Sequence, residues 1–470
     1  MKISRYRVVT PPFLDRRDGI TKRVVFAART AQQRAIGVEM CDRIEARDFA
    51  SLSPAVLKDL VDIELLLPAE EDELAVILQR NQAAIEAAQS LDINVQPTAQ
   101  CQLDCDYCGQ RHESHTLAAA DQDRLVNRTR KRLEARPCRV IRVSWFGGEP
   151  LLGLEVMRAL APRMRALAEE FGCEYRSRIS TNGLMLSETL AAELVRDLGI
   201  HEFQITLDGP ARFHDARRHR KGGGGTFEQI FANTVALARR EDLGAEVLIR
   251  CNIDRRNVDG VRDLIQAFAG ERALDRVAFS FVPVHDWGND AGRLALPKEE
   301  FAEREIGWLA EVIALGLTPS RLIPCRKAIN CIALSPHAEL VDPHGRLFNC
   351  MEASLVPAPP PQRLMEASTA NPKNPGGQLP ILPTSAVYMI GDLASGEQPG
   401  RRRLLGDFNA RVARGEYPCA TCKMLPVCGG ACPKLWLEGR APCPSAKYNI
   451  EARLLLSYAV SRLDANLAQD

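Results

Sequence analysis

The chain has 470 residues, 46% hydrophobic and 26% charged, a globular composition too long for one ordinary domain. Its 61 basic and 60 acidic side chains leave a formal net charge of +1, so the balance gives no reason to expect a nucleic-acid or membrane surface. The sequence holds no apolar run of transmembrane length, and the start, MKISRYRVVTPPF, lacks the apolar core of a signal peptide, so a cytoplasmic location is expected.

Residues 1–92 read as a small α+β module. Arg5–Val9 and Arg23–Ala27 have the pattern of short strands. Ser53-Pro54 is a helix start, with Ser as N-cap and Pro at the first helical position, and Val56, Leu57, Leu60 and Val61 fall on one face. The acidic run Glu70–Glu73 opens a second helix through Leu74, Ile77, Leu78 and Ile85, where negative charge suits the helix dipole.

Residues 93–300 alternate strand and helix. The predicted strands are Ile93–Pro97, Arg139–Trp145, Tyr175–Thr181, Glu202–Thr206, Glu246–Asn252 and Val277–Val282. The alternation predicts a parallel sheet with right-handed crossovers, and its six units make an open, partial TIM-like (β/α)6 barrel of the α/β class. Chemistry then belongs at the C-terminal strand edge. Residues 301–324 read as a linker helix, 325–445 as a cysteine-rich domain with little periodicity, and 446–470 as a C-terminal helix. That last helix has Ile450, Leu454, Leu455, Tyr458 and Leu463 as its buried candidates. Within the cysteine-rich domain, Leu355–Ser385 has the Pro, Gly and Ala content of a long loop.

The 15 cysteines are unevenly spread. Cys41, Cys138, Cys173 and Cys251 are isolated and read as small buried hydrophobes. The other eleven cluster, and disulfides are rare in the cytoplasm, so thiolate–metal ligation is the natural account. Cys101, Cys105 and Cys108 have x3 and x2 spacings directly after a strand, with Tyr107 before the last. Three thiolates on one loop can bind three irons of a [4Fe–4S] cube and leave the fourth open. Zinc sites usually want four ligands and x2 spacings, so they fit this trio poorly.

The trio CxxxCxxC resembles the signature of the radical S-adenosylmethionine (SAM) superfamily. The resemblance implies that the open iron chelates the amino and carboxylate groups of SAM, and that one electron cleaves it to a 5′-deoxyadenosyl radical. Gly147-Gly148-Glu149-Pro150 follows the second barrel strand and resembles the family's GGEP loop, whose glycines let backbone approach the SAM amino group. Ser180 and Asn182 end the third strand. Thr206 precedes Leu207-Asp208-Gly209-Pro210, and Arg218 lies twelve positions on; both are implied SAM-holding residues, an Arg fork being suited to a carboxylate. Tyr107, Gly147, Gly148, Glu149, Pro150, Ser180, Asn182, Thr206 and Arg218 thus make up the expected SAM site. The bland alternatives are a solvated charge for Arg218, in the basic run Arg217–Lys221, and a loop cap for Asn182.

The C-terminal pattern Cys331-x13-Gly345-x4-Cys350, then Cys419-x2-Cys422-x5-Cys428-x3-Cys432 and Cys443, resembles the SPASM domain of radical SAM enzymes that modify peptides and proteins. With Cys325 there are eight thiolates. The resemblance to sulfatase maturases implies that Cys325, Cys331, Cys350 and Cys432 hold auxiliary cluster I, and Cys419, Cys422, Cys428 and Cys443 cluster II. Three [4Fe–4S] clusters and SAM are therefore the expected cofactors. Two zinc sites are the alternative for the C-terminal eight. The expected partners are a precursor peptide or protein and a flavodoxin- or ferredoxin-type reductant. Residues 1–92 resemble the small winged-helix-like domain that holds a leader peptide, a reading on which they are separable from SAM cleavage; a packing extension of the barrel is the alternative. Sulfatase maturases carry a proton-accepting Asp directly after the cysteine equivalent to Cys350; here Met351 stands there, followed by Glu352, which disfavours formylglycine formation unless Glu352 substitutes. A ribosomal-peptide maturase is the preferred reading. A sulfatase-type maturase and a non-catalytic iron–sulfur or zinc protein are the alternatives.

Overall fold

A computed structural model describes residues 1–271, 277–286, 291–356 and 384–467. The loop expected over Leu355–Ser385 falls almost wholly outside the described residues, and so does the side chain of Leu463.

The N-terminal module contains β1 (Lys2–Ile3), β2 (Arg7–Val9), β3 (Phe13–Asp15), β4 (Ile20–Ala27), β5 (Gln32–Gly37), α1 (Val38–Glu45), α2 (Pro54–Asp62), β6 (Leu66–Leu67) and α3 (Glu73–Glu86). The Ser53 hydroxyl accepts from the Val56 N–H, and Asp72 caps α3 through Leu74 and Ala75. Val61 is 45% exposed, so the buried face of α2 is narrower than the sequence pattern suggests. The module has a core of its own, Val25, Cys41, Leu60 and Leu66 among it, and shares a second with the cysteine-rich region. Tyr6, Val8, Phe26 and Ile77 pack in one cluster with Phe408, Val427, Trp436 and Leu454, and Cys419 is part of that cluster. Arg5 donates to the Ala420 carbonyl, and Arg326 to Asn81. Residues 1–89 complete the core behind the C-terminal cysteines.

The barrel strands are β7 (Ser90–Val95), β8 (Val140–Trp145), β9 (Glu174–Thr181), β10 (Ile200–Thr206), β11 (Glu246–Ile253) and β12 (Val277–Pro283), all parallel and in sequence order. The first begins at Ser90, inside the stretch read as the N-terminal module. Between them run α4 (Ala119–Ala135), α5 (Leu154–Glu170), α6 (Glu188–Arg196), α7 (Ala211–His214), α8 (Phe227–Arg239) and α9 (Val261–Gly270), followed by α10 (Lys298–Ala314). The outward residues of the strands are apolar and almost fully buried, Ile141, Val143, Phe203 and Ile249 among them, and pack on helix residues such as Met157, Leu160, Leu194 and Ile265.

Five strands extend this sheet beyond the six of the barrel. The short β13 (Thr318–Pro319) pairs parallel to β12. At the opposite edge β14 (Ala338–Val341), from the cysteine-rich region, pairs parallel to β7 and leads into antiparallel β15 (Arg346–Phe348), β16 (Met389–Asp392) and β17 (Gly396–Glu397). The C-terminal region is thus stitched into the barrel sheet. The chain ends in the helix Ala446–Leu467, kinked at Asn449, whose Nδ2 donates to the Ala302 carbonyl and the Glu305 carboxylate of α10.

Candidate active site

The motifs converge on one edge. Cys101–Cys108 follow β7, Gly147–Pro150 follow β8, Ser180–Asn182 end β9 and Thr206–Pro210 end β10. The cysteine loop is zipped to the segment after α7 by main-chain bonds, Asp104 N to His219 O (3.0 Å), Asp106 N to Arg217 O (3.2 Å) and Lys221 N to Gln102 O (2.9 Å). This fixes Arg217 and Arg218 beneath the cysteines. They are 1% and 6% exposed, so the solvated-charge alternative for Arg218 does not hold.

Tyr107 organises the centre. Its hydroxyl donates to Asp208 Oδ2 (2.6 Å) and accepts from Arg218 Nη1 (2.7 Å) and Asn252 Nδ2 (3.2 Å). Arg217 lies over its ring at 4.8 Å and pairs with Asp254 at 3.1 Å. His214 accepts from the Asp208 N–H through Nδ1, which leaves Nε2 to donate to Thr226 Oγ1 (3.1 Å). Burial drives its pKa down to about 3, so it is a neutral strut.

The GGEP loop differs from expectation in what its residues touch. A Cβ on Gly148 would stand 2.3 Å from the Gln100 carbonyl oxygen, and Glu149 N donates to that oxygen at 2.7 Å. The glycines let this loop lie against the backbone leading into Cys101. Glu149 is fully buried and spends its carboxylate on Leu151 N (3.0 Å), Thr181 Oγ1 (2.7 Å) and Asn182 N (2.7 Å). It braces the end of β9, and Pro150 is buried behind it. Asn182 caps its loop, Oδ1 accepting from Leu184 N at 2.9 Å, but its buried Nδ2 has no partner. Ser180 and Thr206 are half-buried on the inner face of their strands.

The C-terminal cysteines fall into two groups. Cys419, Cys422, Cys428 and Cys443 line one small cavity with Trp436 and Lys447. Cys331, Cys350 and Cys432 line a chamber of about 570 Å³ that runs into the barrel lumen past Asp92, Ser144 and Arg178. Cys325 is not in that lining; it is exposed, 2.6 Å from Arg321 Nη1. Glu352 lines the chamber too and faces His285 at 3.7 Å. Of the isolated cysteines, Cys41 and Cys251 are buried as expected. Cys138 and Cys173 are only half-buried and face each other, their sulfurs 3.6 Å apart.

The sequence profile of the radical SAM superfamily matches residues 95–265, the segment just described. Residues 95–265 are a radical SAM domain. An uncharacterized protein of Synechocystis sp. is 30% identical over 142 residues, 28% of this chain; the match spans about a third, 34%, of that relative's length. The fold is similar to the solved structure of native anSMEcpe with bound AdoMet and Cp18Cys peptide, at 16% identity and TM-score 0.57 over 81% of this chain and 99% of that one. SuiB of Streptococcus suis bound to precursor peptide SuiA aligns at 12% identity and TM-score 0.48, over 94% of this chain and 98% of SuiB.

The radical SAM fold implies a [4Fe–4S] cluster and AdoMet, and the residues present suit both. Burial pushes the Cys101 thiol up to about 11 and the Cys105 thiol up to about 12. Sulfurs so enclosed become thiolates only beside a strong positive charge, such as a metal centre. Among the described residues no three His, Cys, Asp or Glu side chains gather tightly enough for a single ion. Around the trio, Gln96, Gln102 Oε1, Asn182 Nδ2 and Arg218 Nε are buried polar atoms without partners. Such orphans mark the place of a polar ligand. Gln96, Gln102, Asn252 and the lumen arginines escaped the sequence reading. A signal existed: Asp92 and Asn94 alternate on β7, with Gln96 directly after it, as do Arg176, Arg178 and Ser180 on β9, where a strand covered on both faces should be apolar throughout.

Proposed function

We propose that this chain is a radical SAM maturase that oxidatively modifies a ribosomally made peptide or protein. One observation carries the reading: the chamber in the barrel lumen opens onto Cys331, Cys350 and Cys432, below the edge that carries Cys101, Cys105 and Cys108. A substrate in that chamber lies between a radical source and a second cysteine set. Bound at Cys101, Cys105 and Cys108, a reduced four-iron cluster with SAM supplies a 5′-deoxyadenosyl radical that takes a hydrogen atom from the substrate. Arg218, aligned by Tyr107, and Asn182, aligned by Glu149, orient SAM through its charged and polar groups. Gly147, Gly148, Pro150, Ser180 and Thr206 shape the walls.

Cys331, Cys350 and Cys432, with Cys325 as the fourth ligand, would hold auxiliary cluster I. Cys419, Cys422, Cys428 and Cys443 hold cluster II. Burial pushes the Cys419 and Cys432 thiols up to about 12, which again favours metal-bound sulfur. A cluster held at Cys331, Cys350 and Cys432 would accept the electron lost by the substrate radical that hydrogen abstraction leaves, and a flavodoxin- or ferredoxin-type protein would supply the electron that cleaves SAM. The neighbour anSMEcpe was solved with AdoMet and a peptide together, which supports a peptide substrate. The test is anaerobic reconstitution followed by iron and sulfide analysis. About twelve irons and twelve sulfides per chain are expected, from three four-iron clusters. Four irons with two zincs would overturn the auxiliary assignment.

A second reading, oxidation of a Cys or Ser side chain to formylglycine, is favoured by Glu352: although Met351 occupies the position after Cys350, a carboxylate still lines the chamber. A Cys- or Ser-type sulfatase peptide assayed for conversion of that side chain to an aldehyde decides between the two.

A further inference from the structure

The lumen holds more positive charge than it neutralises. Most of its arginines have a carboxylate: Arg142 pairs with Asp92, Arg176 with Glu174 at 2.7 Å, and Arg217 with Asp254 at 3.1 Å. Arg178 and Arg250 differ. Arg178 lines the chamber, and its only hydrogen bond among the described residues runs from Nε to the neutral Ser144 hydroxyl at 2.8 Å. Glu202 is in register with it on β10, yet its carboxylate stays outside ion-pair distance. Arg250, half-buried on β11, lies within the electrostatic reach of Tyr107, Glu352 and Asp208. It too donates only through Nε, to Asn252 Oδ1 at 2.9 Å. Asp208 is already engaged by Tyr107 and by the Asn252 N–H, and Glu352 faces His285. Both guanidinium groups are held at the root by a neutral neighbour, and among the described residues no carboxylate lies within ion-pair distance of either.

Arg178 is exposed to the chamber and Arg250 is half-buried, so both forks are open to a ligand, and a planar fork matches a carboxylate. We propose that the substrate presents a carboxylate to this lumen, an acidic side chain at or beside the residue that is oxidised, and that Arg178 and Arg250 are the groups that recognise it. The inference rests on the peptide reading above and narrows its substrate class. An acidic residue would then be drawn into the space between the SAM edge and Cys350, with the hydrogen to be removed set by the two forks.

The experiment uses reconstituted, SAM-loaded holoenzyme and an equimolar mixture of N-acetylated pentapeptide amides whose central residue varies over the natural amino acids. Bound peptides are recovered by ultrafiltration and read by mass spectrometry. Asp- and Glu-centred peptides should be retained about tenfold over their Asn and Gln counterparts, as expected when a charge-assisted fork replaces a neutral contact. R178Q and R250Q should each reduce that preference; R178K and R250K, which keep the charge with less change of shape, should preserve part of it. Retention without acidic preference overturns the inference and leaves the peptide reading standing. Retention of no peptide at all removes both. A fall in SAM affinity in R250Q, measured by equilibrium dialysis, with the acidic preference unchanged would assign the fork to the methionyl carboxylate and likewise overturn the proposal.

Discussion

Gly148 shows how narrowly the SAM edge is built. A methyl group there collides with main chain, the Gln100 carbonyl at 2.3 Å, which has no flexible end to move aside. Gly148→Ala should therefore displace the loop entering Cys101 and cost the protein its SAM affinity and the cluster held by the trio. Gly172 is a matched control, with φ +65° but nothing within 4 Å of an added Cβ. Gly172→Ala should cost about 1 kcal/mol of stability through its backbone alone and leave SAM binding in place. Equilibrium dialysis with labelled SAM and thermal melts check both; equal SAM affinity in Gly148→Ala and the parent would contradict the packing account. At this scale the sequence was informative about position and less so about role. GGEP stands after β8 as the motif predicts, but Glu149 braces Thr181 and Asn182, a long-range contact that no local pattern encodes.

The element that joins barrel to cysteine-rich region is β14. Its four residues, Ala338–Val341, are all buried and sit in a stretch whose sequence has little periodicity, so there was no alternation to reveal a strand. The barrel strands were legible because each is a long run followed by an amphipathic helix; β13 and β14 are too short to give that signal. Glu339 locks β14 in place, 1% exposed and ringed by Arg128 at 2.8 Å, Arg132 at 2.7 Å and Arg402 at 3.9 Å. Burial alone would raise its carboxyl, but Arg132 and Arg128 reverse the effect and hold it below the usual Glu range. A depressed carboxyl stabilises the fold above its unfolded value and loses that contribution as pH falls through the folded one. Glu339→Gln leaves the arginines facing a neutral group and should cost about 3 kcal/mol at pH 7. The gap between variant and parent should narrow below about pH 4.3, where unfolded Glu protonates. Urea midpoints at pH 7 and pH 4 measure it, and a gap that does not change between them would show that the ion cage is not the source.

Across the whole molecule, the N-terminal module and the walls of the cavity lined by Cys419, Cys422, Cys428 and Cys443 are one packing unit. Ile77 of α3 is fully buried in the cluster that includes Cys419 and Trp436. Ile77→Ala should lower stability by about 3 kcal/mol, by lost transfer and a residual cavity. It should also loosen the cysteine cavity, so that less iron is retained after desalting. Removal of residues 1–89 should be more severe, exposing the core behind Cys419 and depleting cluster II. Full iron content and an unchanged melting temperature in the truncated chain would support the picture of a separable domain. The module's elements were readable from caps and apolar spacing. Its docking was not, because the partners of Tyr6, Phe26 and Ile77 lie more than 300 residues away in sequence.

The central claim is that Cys101, Cys105 and Cys108 hold a cluster whose open iron cleaves SAM. Its most direct measurement is 5′-deoxyadenosine release from reconstituted, dithionite-reduced protein, followed by chromatography, for the parent and for the variant carrying Cys101→Ala, Cys105→Ala and Cys108→Ala together. The account predicts steady formation by the parent and none by the triple variant, which should still retain about eight irons in its two auxiliary clusters. Formation of 5′-deoxyadenosine by the triple variant, or its absence from the fully reconstituted parent, would contradict it.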